Sequence, residues 1–152
     1  MSFHQNQKRG GPRDRTCHPV VDTRKILFGE QLDPEMFNSI AQAAAKAVAK
    51  DDTGRSRKAN KPTQLRKFYD ELCLWEAKAR NGGEERFAEY LPFIRMMNAK
   101  AAYAEGRELV DCNYSTLISH CLNQVTDPAT MTQCKLFMEA FMGFYKQERP
   151  KD

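Results

Sequence analysis

The sequence predicts an all-α fold, a compact bundle of five to six helices behind a flexible basic N-terminal arm. Three observations carry that expectation. Apolar residues recur at steps of three and four over long stretches, which is the period of one helix face. Two Asp-Pro pairs, Asp33-Pro34 and Asp127-Pro128, place a capping side chain and a first-turn proline where helices begin. No alternating apolar–polar run of strand length occurs in the 152 residues.

Taken in order, residues 1–31 read as the arm. Gly10, Gly11, Pro12 and Pro19 punctuate it, and Lys8, Arg9, Arg13, Arg15, Arg24 and Lys25 make it basic. Such a tail is either simply solvated or phosphate-seeking. Val20, Val21, Ile26, Leu27 and Phe28 are candidates for a short docked segment. The helical bundle is expected over 32–147. Its first helix starts at Asp33-Pro34-Glu35, with Met36, Phe37, Ile40, Ala44, Ala47 and Val48 inward. A basic linker from Lys50 to Lys61 opens into a second helix, capped by Thr63 or Asn60, on which Leu65, Phe68, Leu72, Trp75 and Ala79 form one stripe. Asn81-Gly82-Gly83 should end it. A third helical segment carries Phe87, Leu91, Ile94, Met97, Ala101 and Ala104, with Pro92 expected to kink it or to open a fresh helix. Lys100, Tyr103 and Arg107 share a face there, readable as a solvated face or as a phosphate-and-stacking strip. Asp111 or Asn113 caps a short fourth helix. The last helix is apolar over more than the arc a surface helix needs. It is therefore either central to the bundle or in contact with another protein. Residues 148–152 read as a frayed C-terminus.

The charge is uneven. Lys46, Lys50, Arg55, Arg57, Lys58, Lys61, Arg66 and Lys67 stand against only Asp51 and Asp52, a window of net +6 in a chain of net +4. Converging Lys and Arg side chains are what phosphate contact requires. With 41% hydrophobic residues the chain can bury a core without staples. No apolar run approaches the roughly 20 residues of a membrane span, and the N-terminus has no apolar core of a secretory signal. The five cysteines, Cys17, Cys73, Cys112, Cys121 and Cys134, form no C-x-x-C pair. Disulfides are not expected, and a reducing cytoplasm is the expected compartment.

No catalytic residue, metal ligand set or cofactor is assigned. His4 and His18 lie in the arm. His120 and Cys121 are neighbours that point apart on a helix. Cys17-His18 is too sparse for a closed zinc site, which wants four ligands. Gly82-Gly83 follows no strand and precedes no Lys-Ser/Thr, which excludes a P-loop.

Three segments carry a family resemblance. Lys-Pro-Thr-Gln-Leu-Arg-Lys-Phe-Tyr at Lys61–Tyr69 resembles the core-helix start of the small subunit of type III-A CRISPR RNA-guided effector complexes. Leu91–Arg107, with a lysine before Ala-Tyr-Ala and a Gly-Arg, is similar to a downstream segment of that family, and Phe137–Tyr145 to its closing helix. The resemblance spans about residues 33–147. It implies a non-catalytic subunit of a cytoplasmic antiviral ribonucleoprotein. Several copies would stack as an inner filament beside the guide-holding subunits, with a basic face along target RNA. The positions it implies for RNA contact are Arg66, Lys67, Lys100 and Arg107. Lys61, Gln64 and Arg95 are added from the helix faces. Contact would be to phosphate and sugar, because the guide varies while the protein does not. Two other classes stay open: a helical adaptor whose last helix binds a protein, with a solvated basic loop, and an independent regulator of duplex DNA. The lack of a short-turn helix pair with a polar recognition helix argues against the regulator.

Overall fold

A computed structural model describes residues 17–151. The expected arm residues Lys8, Arg9, Arg13 and Arg15, and His4, lie outside them. The described residues are all-helical: α1 (Ser39–Ala49), α2 (Pro62–Arg95), α3 (Met97–Gly106), α4 (Cys112–Asn123) and α5 (Pro128–Glu148).

α5 is the central helix. Its capping box is complete: Asp127 Oδ1 accepts from the Thr130 backbone N–H at 2.7 Å, while Thr130 Oγ1 accepts from the Asp127 N–H. Those hydrogen bonds, the backbone one first, hold the Asp127 carboxyl below its ordinary range. From this start Met131, Cys134, Phe137, Met138, Phe141 and Tyr145 are buried, packed between α1 and α2. The breadth of its apolar arc is thus used inside the molecule. The Phe141 and Tyr145 rings stack with centroids 5.3 Å apart. α1 meets α5 through Ala41, Ala44, Ala45, Val48 and Ala49, all buried. Small side chains there let two helices approach closely.

α2 is a helical hairpin. Its 34 residues include Gly83 at φ 70°, ψ −178°, a conformation open essentially to glycine alone. In a straight helix Trp75 and Phe93 would stand about 27 Å apart. Their rings are instead stacked at 5.8 Å with an interplanar angle of 11°, and Trp75 also meets Tyr90 at 6.0 Å. The chain therefore reverses at Gly83, where the paired glycines were expected to end the helix. Gly82 serves a second purpose: a Cβ there would lie 3.1 Å from Arg86 Cβ and 3.3 Å from the Tyr90 ring. The second limb runs through Pro92 to Arg95, and the chain restarts at Met97 as α3. α3 then packs on α4.

Several expectations need correction. The Asp33-Pro34 signal opens a tight turn, in which Met36 N–H reaches Asp33 O and Asn38 N–H reaches Glu35 O. The α-helix begins only at Ser39, whose N–H meets the Glu35 carboxylate at 3.2 Å. Thr63 does not cap α2, since Pro62 is already in its first turn and Lys61 stands at the cap without a side-chain bond. Within the arm, the candidate docked segment around Val20–Phe28 does dock, and residues 17–31 lie along α4 and α5. Ile26 is fully buried, Asn113 Oδ1 accepts from Val20 and Val21 N–H, and Gln124 and Gln133 bond the backbone of Phe28 and Gly29. This docking sets Cys17 beside Cys112, and the two form a disulfide with Cα atoms 5.9 Å apart. Cys73, Cys121 and Cys134 remain free. Arg149, expected in a frayed end, is only 4% exposed. Its guanidinium donates to Ala59 O at 2.8 Å and Asn60 O at 3.0 Å.

The basic linker is a compact hairpin loop. Lys50 pairs with Ser56 as an isolated bridge. Asp51 Oδ1 accepts from Thr53 N–H, Thr53 Oγ1 and Arg55 N–H, which hold its carboxyl below the usual range, the Thr53 side chain first. The loop ends at Asn60, fully buried and left-handed at φ 61°. Its N–H donates to Leu109 O at 3.0 Å. Its side-chain amide donates to Val48 O and Asp111 Oδ1 and accepts from Asp111 N–H at 2.8 Å.

Two stability predictions follow from these joints. Asn60→Ala removes the amide, orphans Asp111 N–H and forces alanine left-handed, so it should cost about 3 kcal/mol in a urea melt. Asn60→Gly, free of the backbone strain, should cost less. Gly83→Ala should cost roughly 1–3 kcal/mol by the same measurement, and an unaffected midpoint would mean the reversal lies elsewhere.

Candidate nucleic-acid interface

The hairpin turn at Gly83 and the Asn60 contacts fix an antiparallel register between the first limb of α2 and the chain that follows. Trp75 lies opposite Phe93, Glu71 opposite Lys100, and Asn60 opposite Leu109 and Asp111. Interpolated between those fixed points, the register aligns Lys67 with Tyr103 and Gln64 with Arg107. Gln64, Lys67, Glu71 and Lys78 share a helix face at steps of three, four and seven. Lys100 and Tyr103 on α3 do the same, with Arg107 at its C-cap.

Four of the seven expected residues, Gln64, Lys67, Lys100 and Arg107, therefore come to one seam. Lys100 Nζ is paired with the Glu71 carboxylate. Arg107 stacks its guanidinium 5.7 Å from the Tyr103 ring centroid and bonds the hydroxyl at 3.4 Å. Lys67 is exposed, with no ion pair among the described residues. Lys61 is exposed at the mouth of α2, at one end of the seam. Arg66 and Arg95 are not brought in. Arg66 Nε pairs with Asp70 at 3.2 Å on the flank toward α5, beside Met142, Tyr145 and Lys146. Arg95 donates to Val125 O at 3.1 Å.

The seam also holds residues outside the expected set. Lys78 Nζ stands 5.0 Å from the Trp75 ring centroid, and Phe93 is half exposed on the other side of the reversal. The sequence signal that could have found them is Gly82-Gly83 read as a reversal, which brings Trp75 back against Tyr90 and Phe93.

The basic loop contributes less free charge than its composition suggests. The cleft beside it is lined by Lys46, Lys50 and Arg57 but also by Asp51, Asp52 and Glu148. Arg57 is turned inward, donating to Ala47 O at 3.2 Å with Asp111 at 3.7 Å.

His120 and the two buried free thiols are engaged or suppressed. His120 Nε2 lies 2.7 Å from Ile26 O. Burial pushes the Cys121 thiol well up and the Cys134 thiol up to about 12, which leaves little thiolate at neutral pH. Among the described residues no three His, Cys, Asp or Glu side chains are grouped to hold a metal, and no helix is long and apolar enough to cross a membrane.

Comparison with known proteins agrees with the resemblance of Lys61–Tyr69 and Leu91–Arg107. No curated protein and no solved structure matches the chain. The model of one family, described as Csm2 Type III-A, matches residues 33–151. That span holds all five helices and the whole seam, and the chain belongs to the Csm2 family, the small subunit of type III-A CRISPR Csm complexes.

Proposed function

We propose that this subunit of the effector complex is a non-catalytic RNA-binding module of the cytoplasm. Several copies stack as a filament along guide and target RNA, against the other subunits. The observation that carries the reading is the Lys100–Glu71 pair, which sets Lys100, with Arg107 two turns on, beside the α2 face that bears Lys67, with Lys61 and Gln64 toward the start of that helix. Phosphates replace the lost hydration of such cations, and each contact releases counterions. Nothing in that contact distinguishes one base from another, as a variable guide requires. Arg66 and Arg95, on other flanks, serve as secondary contacts at most. One copy with a few phosphate contacts binds weakly. Repetition of the same seam along a filament multiplies the effect by avidity.

The test is binding of two unrelated single-stranded RNAs against salt. Lys67→Ala with Lys100→Ala should flatten the slope by about 0.7 per lost contact, equally for both RNAs and with an unchanged melting midpoint. Glu71→Gln, which frees Lys100 and removes a repelling carboxylate, should tighten binding. Arg66→Ala should change the slope less than Lys67→Ala. Unchanged slopes in the lysine variants, with loss in Arg66→Ala, would move the RNA to the α2–α5 flank.

A further inference from the structure

We propose that the α2/α3 seam is also a base-stacking platform, on which Phe93 and Tyr103 each take an unpaired nucleobase of the strand whose phosphates the lysines hold. The inference rests on the RNA-binding reading above and adds a second kind of contact to it.

Exposed large apolar side chains are gathered here. Of the seven among the described residues, Leu74, Phe93, Met96 and Tyr103 belong to this seam, with Phe93 56% and Tyr103 65% exposed. A lone exposed ring needs no explanation, but both of these rings are braced. Phe93 lies nearly parallel to Trp75 beneath it, and Trp75 is in turn held by Tyr90 and Lys78. Tyr103 carries the Arg107 guanidinium against it. A ring fixed on one face and open on the other loses little freedom when a base stacks on it, and base–aromatic stacking tolerates any sequence because every base has a π-face.

Charge decides between a nucleic acid and a protein on this surface. Lys67, Lys78 and Arg107 punctuate the apolar positions, and Lys100 and Glu71 neutralise each other. Exposed Glu89 is offset by exposed Arg86 one turn away, and exposed Glu84 and Glu85 stand at the reversal, beyond the rings. Lysine is depleted from the cores of protein interfaces, so a protein covering Phe93 and Met96 would have to strip water from these ammonium groups. A polyanion with planar bases answers both features at once. Ten residues separate Tyr103 from Phe93, about 15 Å at helical rise, which spans about four stacked nucleotides of a strand.

The experiment compares a short unstructured RNA with the same backbone made abasic, each titrated against the full chain. Phe93→Leu and Tyr103→Leu keep apolar bulk and remove the π-face. Each should weaken the base-bearing RNA roughly fivefold or more while leaving the salt slope unchanged. The abasic strand should bind wild type weakly and be indifferent to both substitutions. Fluorescence of Trp75, the one tryptophan in the chain, should change with the base-bearing strand only. If Phe93→Leu lowers the melting point through loss of the Trp75 stack, Tyr103→Leu, at a side chain 65% exposed, carries the test. Full affinity in both leucine variants, with the slope still flattened by Lys100→Ala, overturns stacking and leaves the phosphate reading standing. If Lys100→Ala is also without effect, both readings fall.

Discussion

The asparagine at the end of the basic loop is the joint on which the rest of this fold depends. Asn60 is buried, left-handed, and bonded through its N–H, its carbonyl and both ends of its side-chain amide. Its partners come from α1 (Val48), the α3–α4 connection (Leu109 and Asp111) and the end of α5, where the Tyr145 hydroxyl and the Arg149 guanidinium donate to its carbonyl. A buried amide left unpaired costs about 1–3 kcal/mol, so this node is stable only when all of those elements are in place. It closes the bundle cooperatively. It also fixes where α2 begins relative to the segment that ends α3, and Gly83 fixes where α2 turns back. Between these two points the Glu71–Lys100 pair and the Trp75–Phe93 stack mark the register of the seam.

That constraint explains why some of the site was legible in the sequence and some was not. Several local signals held: the Leu65–Leu72–Ala79 stripe, the Asp111 and Asp127 caps, and the glycine pair that interrupts α2. Others did not, since Asp33-Pro34 opens a turn ahead of the helix and Thr63 does not cap α2. Positions set by distant partners were not legible. Arg149 sits 89 residues from Asn60, and a terminal arginine before proline reads as solvated until its acceptors are known. Cys17 and Cys112 are 95 residues apart, and only the docking of residues 17–31 on Asn113 brings them together. The faces of Lys100 and Arg107 were readable from helical spacing, but the approach of Lys100 to Glu71 on α2 required the reversal.

The charge distribution carries a similar lesson. The densest run of cations in the chain folds into a loop whose aspartates and nearby Glu148 offset it and whose Arg57 is turned inward. Lysines that are sparse in sequence, one per two or three turns, are instead assembled by the hairpin into a strip interrupted by exposed rings. Linear charge density describes how strongly a segment attracts phosphate when unfolded. In the folded domain what matters is which cations share a face and how their carboxylate neighbours are placed. On the α2/α3 seam Lys67 and Lys78 have no ion pair among the described residues and Lys100 is held by Glu71, which is why we propose the seam, and not the loop, as the RNA surface.

Hydrogen exchange of the full chain, with and without a short single-stranded RNA, tests this directly because it reports on every segment at once. Added protection across residues 64–78 and 93–107, with residues 46–58 unchanged, is the expected pattern. Protection confined to 46–58, with the two seam segments unchanged, would contradict it and return the RNA to the basic loop.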